Sequence, residues 1–196
     1  PHQSSAASDV YKRQAHHLGW QAVGIADRFS CGGLVRAHMA IKDIAAQNNP
    51  DQKPVASLSL DKLICGVGVS LHNGGDILCY SRTLDGYHSL CQWLSAAMMR
   101  SGHNNRALPD MHTSDLGRLS SDVIVITLPP VLADTDYREQ ARTIRLFAPG
   151  DVYVGGYLMR DGCDEERLYR LSQEAAADNL GSVSYTHLTL PTIGEV

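Results

Sequence analysis

Ala22-Val23-Gly24-Ile25-Ala26-Asp27-Arg28-Phe29-Ser30-Cys31-Gly32-Gly33-Leu34-Val35-Arg36-Ala37-His38 is the stretch on which the fold turns. Its first five residues form an uncharged run bounded by polar residues, the pattern of a buried strand. The run ends at Asp27-Arg28, crosses a Ser/Cys/Gly turn and enters a periodic segment. Leu34, Ala37, His38, Ile41 and Ile44 recur at helical spacing, which predicts a helix over 33–47 with those residues on one face. Asn48-Asn49-Pro50-Asp51 stops it, because the residue before a proline is driven out of the helical region.

Working outward, the same alternation repeats. Leu63–Leu71 and Asp76–Tyr80 are β-type runs joined by His72-Asn73-Gly74-Gly75, a hairpin signal because Asn and Gly accept positive φ. A second helix is expected over 85–99, with Tyr87, Leu90, Cys91, Leu94, Ala97 and Met98 as its apolar stripe. Residues 100–113 are polar with Gly, Asn and Pro, and read as an exposed loop. Asp122–Leu128 predicts a buried strand ended by Pro129-Pro130. Tyr137, Ala141, Ile144 and Ala148 mark a third helix, Val152–Tyr157 another strand, and Glu165–Asn179 a last helix with Leu168, Leu171 and Ala175 inward. Alternating strands and helices imply an α/β fold, a mostly parallel sheet or barrel with one β-hairpin. Ligands in such folds sit at the carboxyl ends of strands, which singles out Asp27 and the segments just after Leu71, Tyr80 and Leu128.

Composition narrows the function classes. The chain has 196 residues and is 43% hydrophobic, enough for one core and too much for a disordered segment. Its formal net charge is −4, so it lacks the basic surface that wrapping nucleic acid by itself requires. No apolar run reaches about 18 residues, and no charged-then-apolar start has the pattern of a secretory signal. The expectation is a cytoplasmic protein without a membrane partner.

The two ends differ in character from the middle. Residues 1–14 and 183–196 show no periodicity coupled to their neighbours, and both resemble translated flanking sequence at the ends of assembled gene fragments. The alternative is a natural disordered head and tail. On the first reading, residues 15–182 are an internal piece of a longer parent.

Residue chemistry offers few sites. Cys31, Cys65, Cys79, Cys91 and Cys163 form no Cys-x-x-Cys pair, which disfavours zinc-ribbon and thioredoxin readings and leaves small buried hydrophobes in a reducing compartment. Of the histidines, His16 and His17 are adjacent and cannot share a helix face, while His38 on its apolar stripe reads as a packed or hydrogen-bonded core residue. His72 falls in the hairpin, His88 on a helix flank, and His103 and His112 in the polar loop. No His-x-His or His-x-x-x-His occurs in the middle region. Asp27 is the best polar position, with a helix-capping or arginine-pairing carboxylate as its alternative; Arg28 and Arg36 are the candidate partners. Gly66-x-Gly68 lies inside a β run and reads as tight packing, and there is no phosphate loop and no nucleophile elbow.

The segment Leu18 to Arg28, followed by Gly32-Gly33-Leu34-Val35-Arg36-Ala37-His38, resembles the polymerase-and-histidinol-phosphatase (PHP) domain that opens bacterial DNA polymerase III alpha subunits, and most of all its error-prone branch. Ile64-Cys65-Gly66-Val67-Gly68, Asp76-Ile77-Leu78-Cys79-Tyr80, Asp85-Gly86-Tyr87-His88-Ser89-Leu90-Cys91, Ser114-Asp115-Leu116 and Val123 to Pro130 follow in the family's order, so the resemblance spans residues 15–182. It implies an incomplete PHP-type (β/α) barrel. It also implies a metal site to which this chain contributes only Asp27: the active pattern has His after that Asp, where Arg28 stands, and an acid two residues after Gly66, where Gly68 stands. The resemblance places the family's opening His-x-His before this piece and its closing Asp-x-His beyond Ser182, so neither is expected in residues 15–182.

The implied function is therefore the PHP region of an error-prone DNA-directed DNA polymerase, itself inert, with no catalytic, metal or cofactor-binding residue of its own. The resemblance places magnesium in the parent's polymerase domain. It makes the parent's other domains the partners of this region, with DNA bound through the parent. A free-standing metal-dependent PHP phosphoesterase and a non-enzymatic α/β binding module stand as the alternatives.

Overall fold

The computed structural model describes residues 22–47, 63–73, 75–101, 109–129, 137–157 and 162–185. Their order is β1 (Val23–Arg28), α1 (Gly32–Gln47), β2 (Leu63–Leu71), β3 (Gly75–Ser81), α2 (Leu84–Arg100), a 3-10 helix (Thr113–Arg118), β4 (Val123–Leu128), α3 (Tyr137–Phe147), β5 (Val152–Tyr157), α4 (Asp164–Ala177) and β6 (Gly181–Tyr185). The six strands make one sheet in sequence order. Pairings β1–β2, β4–β5 and β5–β6 are parallel, while β2–β3 and β3–β4 are antiparallel, so the sheet is mostly parallel around one inserted hairpin strand. Among the described residues, β1 and β6 stand at opposite edges and the sheet is unclosed, as an incomplete barrel would be.

Strand alternation decides which residues meet the helices. The register Asp27↔Val67↔Cys79↔Val125↔Val152 runs across the sheet on one face. Val67, Cys79, Val125 and Val152 are all buried, against Leu90, Trp93 and Leu94 of α2, Leu116 of the 3-10 helix, Ala141 and Ile144 of α3, and Leu171 of α4. The opposite face is hollowed by glycine: a Cβ at Gly66 would stand 2.4 Å from the Tyr80 ring and one at Gly181 2.5 Å from the Tyr153 ring. Tight packing at Gly66 is therefore the role the sequence suggests.

Local joints hold the layers in place. Phe29, in the β1–α1 turn, takes a left-handed φ of 51° with its ring buried, and its N–H donates to the Gly68 carbonyl at 2.9 Å. Burying the ring offsets the strain of that backbone. Thr83 caps α2 by accepting from the Gly86 N–H at 3.1 Å, and its hydroxyl donates to Asp122 Oδ2 at 2.8 Å. Asp178 sits at the carboxyl end of α4, where a negative charge opposes the helix dipole. Arg138 Nε at 3.1 Å and Arg142 NH2 at 2.6 Å, both from α3, reverse that balance and tie the two helices together.

The structure corrects several expectations. β1 continues two residues past Ala26, through Asp27 and Arg28, because both pair with β2. Among the described residues of the hairpin turn, a positive φ falls on Gly75, as the Asn/Gly signal allows. Trp93 joins the buried face of α2 while Met98 is exposed, since the inward row is Gly86, Leu90, Trp93, Leu94 and Ala97. The loop after α2 does not stay exposed to its end, because Met111 is buried just before the 3-10 helix and Thr113 at its first position. The Ile41 and Ile44 side chains lie outside the described residues.

β6 was not anticipated, and it runs three residues beyond position 182, with Gly155↔Val183, Gly156↔Ser184 and Tyr157↔Tyr185 in register. An unpaired β5 edge recruits a neighbouring segment that carries Val and Tyr, which favour extended backbone. β5 is consequently flanked on both sides, and among the described strands the edge on that side of the sheet is β6. No helix among the described residues is long and apolar enough to cross a membrane.

Leu90 is fully buried between sheet and 3-10 helix, so Leu90→Ala should cost about 2–4 kcal/mol in chemical denaturation. A second expectation concerns pH. The two guanidiniums hold the Asp178 carboxyl down from 3.8 to about 2. A depressed carboxyl stabilises the fold above its unfolded pKa and loses that contribution as pH falls, here between about pH 4 and 2. Thermal melts across that range should fall for the native chain and flatten for Asp178→Asn.

Candidate functional site

Asp27 and Arg28 are neighbours in β1, and a strand sends neighbours to opposite faces. Asp27 shares the helix-covered face, where a Cβ at Gly33 would stand 2.2 Å from its Oδ2. Only glycine fits beneath that carboxylate. The first turn of α1 has no acidic residue of its own, so Asp27 supplies the negative charge that the helix amino terminus favours. Its capping alternative describes this geometry better than a ligand role does.

Arg28 emerges on the glycine-hollowed face. Its NH2 donates to Ser70 Oγ at 2.5 Å, Ser70 donates to Asp76 Oδ1, and Arg28 NH2 stands 4.0 Å from the same carboxylate oxygen. The arginine that could have paired with Asp27 is thus engaged by Ser70 of β2 and Asp76 of β3. Arg28 and Asp76 are more than half exposed, so the pair orients the rim more than it stabilises the fold.

Beside this trio lies the hairpin lip. Asp110 Oδ1 stands 3.5 Å from His112 Nε2 and 3.9 Å from His72 Nδ1, with the two imidazole rings 5.3 Å apart and tilted. Beneath them, Asn73 Oδ1 accepts from both the N–H and the hydroxyl of buried Thr113, at 3.0 and 2.9 Å, and the His72 N–H donates to the Met111 carbonyl at 2.8 Å. Two histidines about forty positions apart are brought together by backbone and amide bonds that no spacing motif encodes. Among the described residues, no group of three or more His, Cys, Asp or Glu is arranged to hold a metal ion.

The strand ends named by the sequence divide between two rims. Antiparallel pairing puts Asp76 opposite both Ser70 and Leu128, so the ends of β1, β2 and β4 share a rim with Asp27, Arg28 and the hairpin lip. β3 runs the other way, and the segment after Tyr80 lies at the opposite rim, away from Asp27. There it borders a cleft of about 660 Å³ between α1 and α2, lined by Leu34, His38, Leu63, Cys65, Arg82 and Tyr87 among others. Buried His38 Nδ1 has no hydrogen-bond partner among the described residues, and His38 forms part of the cleft wall. Of the other histidines named from sequence, His88 is exposed on α2, and His16, His17 and His103 lie outside the described residues. Arg36 is an exposed residue of α1.

The error-prone DNA polymerase of Brucella abortus is 27% identical to this chain over 164 residues, which cover 83% of the chain and 14% of the polymerase. That of Pseudomonas aeruginosa is 26% identical over 190 residues, covering 97% of the chain and 15% of the relative. That of Rhodopseudomonas palustris is 29% identical over 182 residues, covering 89% and 15%. This chain is related to one region of such polymerases. It spans about 15% of the length of the curated relatives it matches. No family model matches it.

Asn73→Ala would leave the buried Thr113 N–H and hydroxyl without an acceptor, which should cost about 1–3 kcal/mol in denaturant unfolding. If Asn73→Ala melts like the native chain, the lip is not held through Thr113.

Proposed function

We propose that this chain is the PHP region of an error-prone DNA-directed DNA polymerase and acts there as a structural and interaction platform, without phosphoesterase activity of its own. The observation that carries the reading is similarity to error-prone polymerases over 83–97% of the chain, confined to 14–15% of each relative. The order of PHP-like segments and the one-sided helix layer over an unclosed sheet support it.

The residues present do not fit a PHP-type metal cluster. Arg28 puts a cation, already engaged by Ser70 and Asp76, where the resemblance calls for His. Gly68 has no side chain where it calls for an acid, and Asp27 faces α1 across the sheet from Arg28. On this reading the polymerase carboxylates and their magnesium belong to the parent's palm domain, DNA is bound there, and this region works in the cytoplasm against the parent's other domains. A net charge of −4 suits such a role better than direct phosphate binding.

The test pairs metal content with hydrolysis. The chain dialysed against manganese and zinc should carry neither in stoichiometric amount and should not hydrolyse a phosphate monoester. Stoichiometric metal and turnover, both lost in Asp27→Ala, would establish the phosphoesterase alternative instead. Independently, residues 15–182 substituted for the matching segment of the Pseudomonas aeruginosa polymerase should support template-directed synthesis; a folded chimera without synthesis would count against the platform role.

A further inference from the structure

α1 lies over β1 and β2, and α2 over β3 and β4, with the cleft of about 660 Å³ between the two helices. Half-buried Leu34 and Leu63 line it, and the apolar surface continues outward to its lips. Val35 of α1 is 65% exposed and Leu84, the first residue of α2, is 68% exposed; both line the cleft. Met39, one helical turn after Val35, is 55% exposed. Single apolar side chains on a surface are ordinary, but exposed ones that continue a half-buried apolar cleft form a patch, and such patches mark binding surfaces.

The polar lining narrows what binds there. Arg82 is paired with Asp151, Ser81 donates to the Cys65 carbonyl at 3.2 Å, and Thr83 is held by Asp122 and the Gly86 N–H. These groups are already engaged, so the cleft offers an occupant mainly apolar area. A small ligand buries most of its surface within its pocket. Here the most exposed apolar residues stand at the lips, where only an occupant larger than the cleft covers them.

We propose, resting on the platform role, that the cleft seats an apolar segment from another domain of the parent polymerase, packed between α1 and α2 against Leu34, Val35, Leu63 and Leu84. The matched region is only 14–15% of each relative, so most of such a polymerase lies outside it and belongs to the same chain. A linked domain acts at high effective concentration, and a modest apolar contact then suffices to dock it. A second copy of this chain has no such advantage. A formal net charge of −4 gives an anionic lipid surface no attraction.

The experiment uses the Pseudomonas aeruginosa polymerase with residues 15–182 in place of its matching segment, and a photoreactive benzoylphenylalanine replacing Leu84. Cross-links should run to polymerase residues outside that segment. Their yield should fall about tenfold when Val35→Glu places a charge on the other lip. Val35 is exposed, so the isolated chain carrying Val35→Glu should melt as the native chain does. In a folded chimera that synthesises DNA, cross-links only within residues 15–182, cross-links only to a second copy, no cross-links, or a yield that Val35→Glu leaves unchanged would overturn the docking site and leave the platform role standing. A folded chimera without synthesis would overturn the platform role and the docking site with it. Should the chimera fail to fold, the same probe at the position matching Leu84 in the Pseudomonas aeruginosa polymerase itself decides by the same outcomes.

Discussion

The strict alternation of side chains across six paired strands is the constraint from which the other features follow. One face must meet the helices, so it carries Val67, Cys79, Val125 and Val152 in a continuous row, and α2, α3 and α4 contribute apolar residues to the same core. The other face is then free to be hollowed by Gly24 and Gly66 under the Tyr80 ring. This alternation also separates functional residues that sequence places side by side. Asp27 and Arg28 touch in the chain and serve different faces: one faces a helix amino terminus, the other the Ser70–Asp76 pair. A cluster that needs both residues as ligands is unavailable to this backbone, whatever their chemistry.

Inserting one antiparallel hairpin strand into an otherwise parallel sheet splits the polar residues between two rims. The ends of β1, β2 and β4 gather at one, with the imidazoles of His72 and His112 around Asp110. The end of β3 opens at the other, next to the cleft, His38 and Cys65. The rule that ligands sit at the carboxyl ends of strands holds for parallel neighbours. Its extension to Tyr80 failed because the hairpin that the sequence itself announces reverses β3.

Apolar runs and helical stripes were legible because they report local burial. Val152–Tyr157, Leu63–Leu71 and the three stripes beginning near residues 33, 85 and 137 all fall within a residue or two of the observed elements. What escaped was set by tertiary partners. The 3-10 helix at Thr113–Arg118 owes its place to Asn73 at the tip of a distant hairpin, and β6 owes its place to an unfilled β5 edge.

The crossover from β1 through α1 to β2 ties the two rims together energetically. Asp27 at one end of β1 stands against Gly33 in the first turn of α1. The β1–α1 turn between them includes the left-handed Phe29, a backbone state that persists only while its ring stays buried. Anything that shifts α1 on the sheet must therefore disturb two things at once: the Asp27–helix contact and the Phe29 turn. Because one short turn carries both, the position of α1 behaves as a single variable, and the same turn sets one wall of the cleft between α1 and α2.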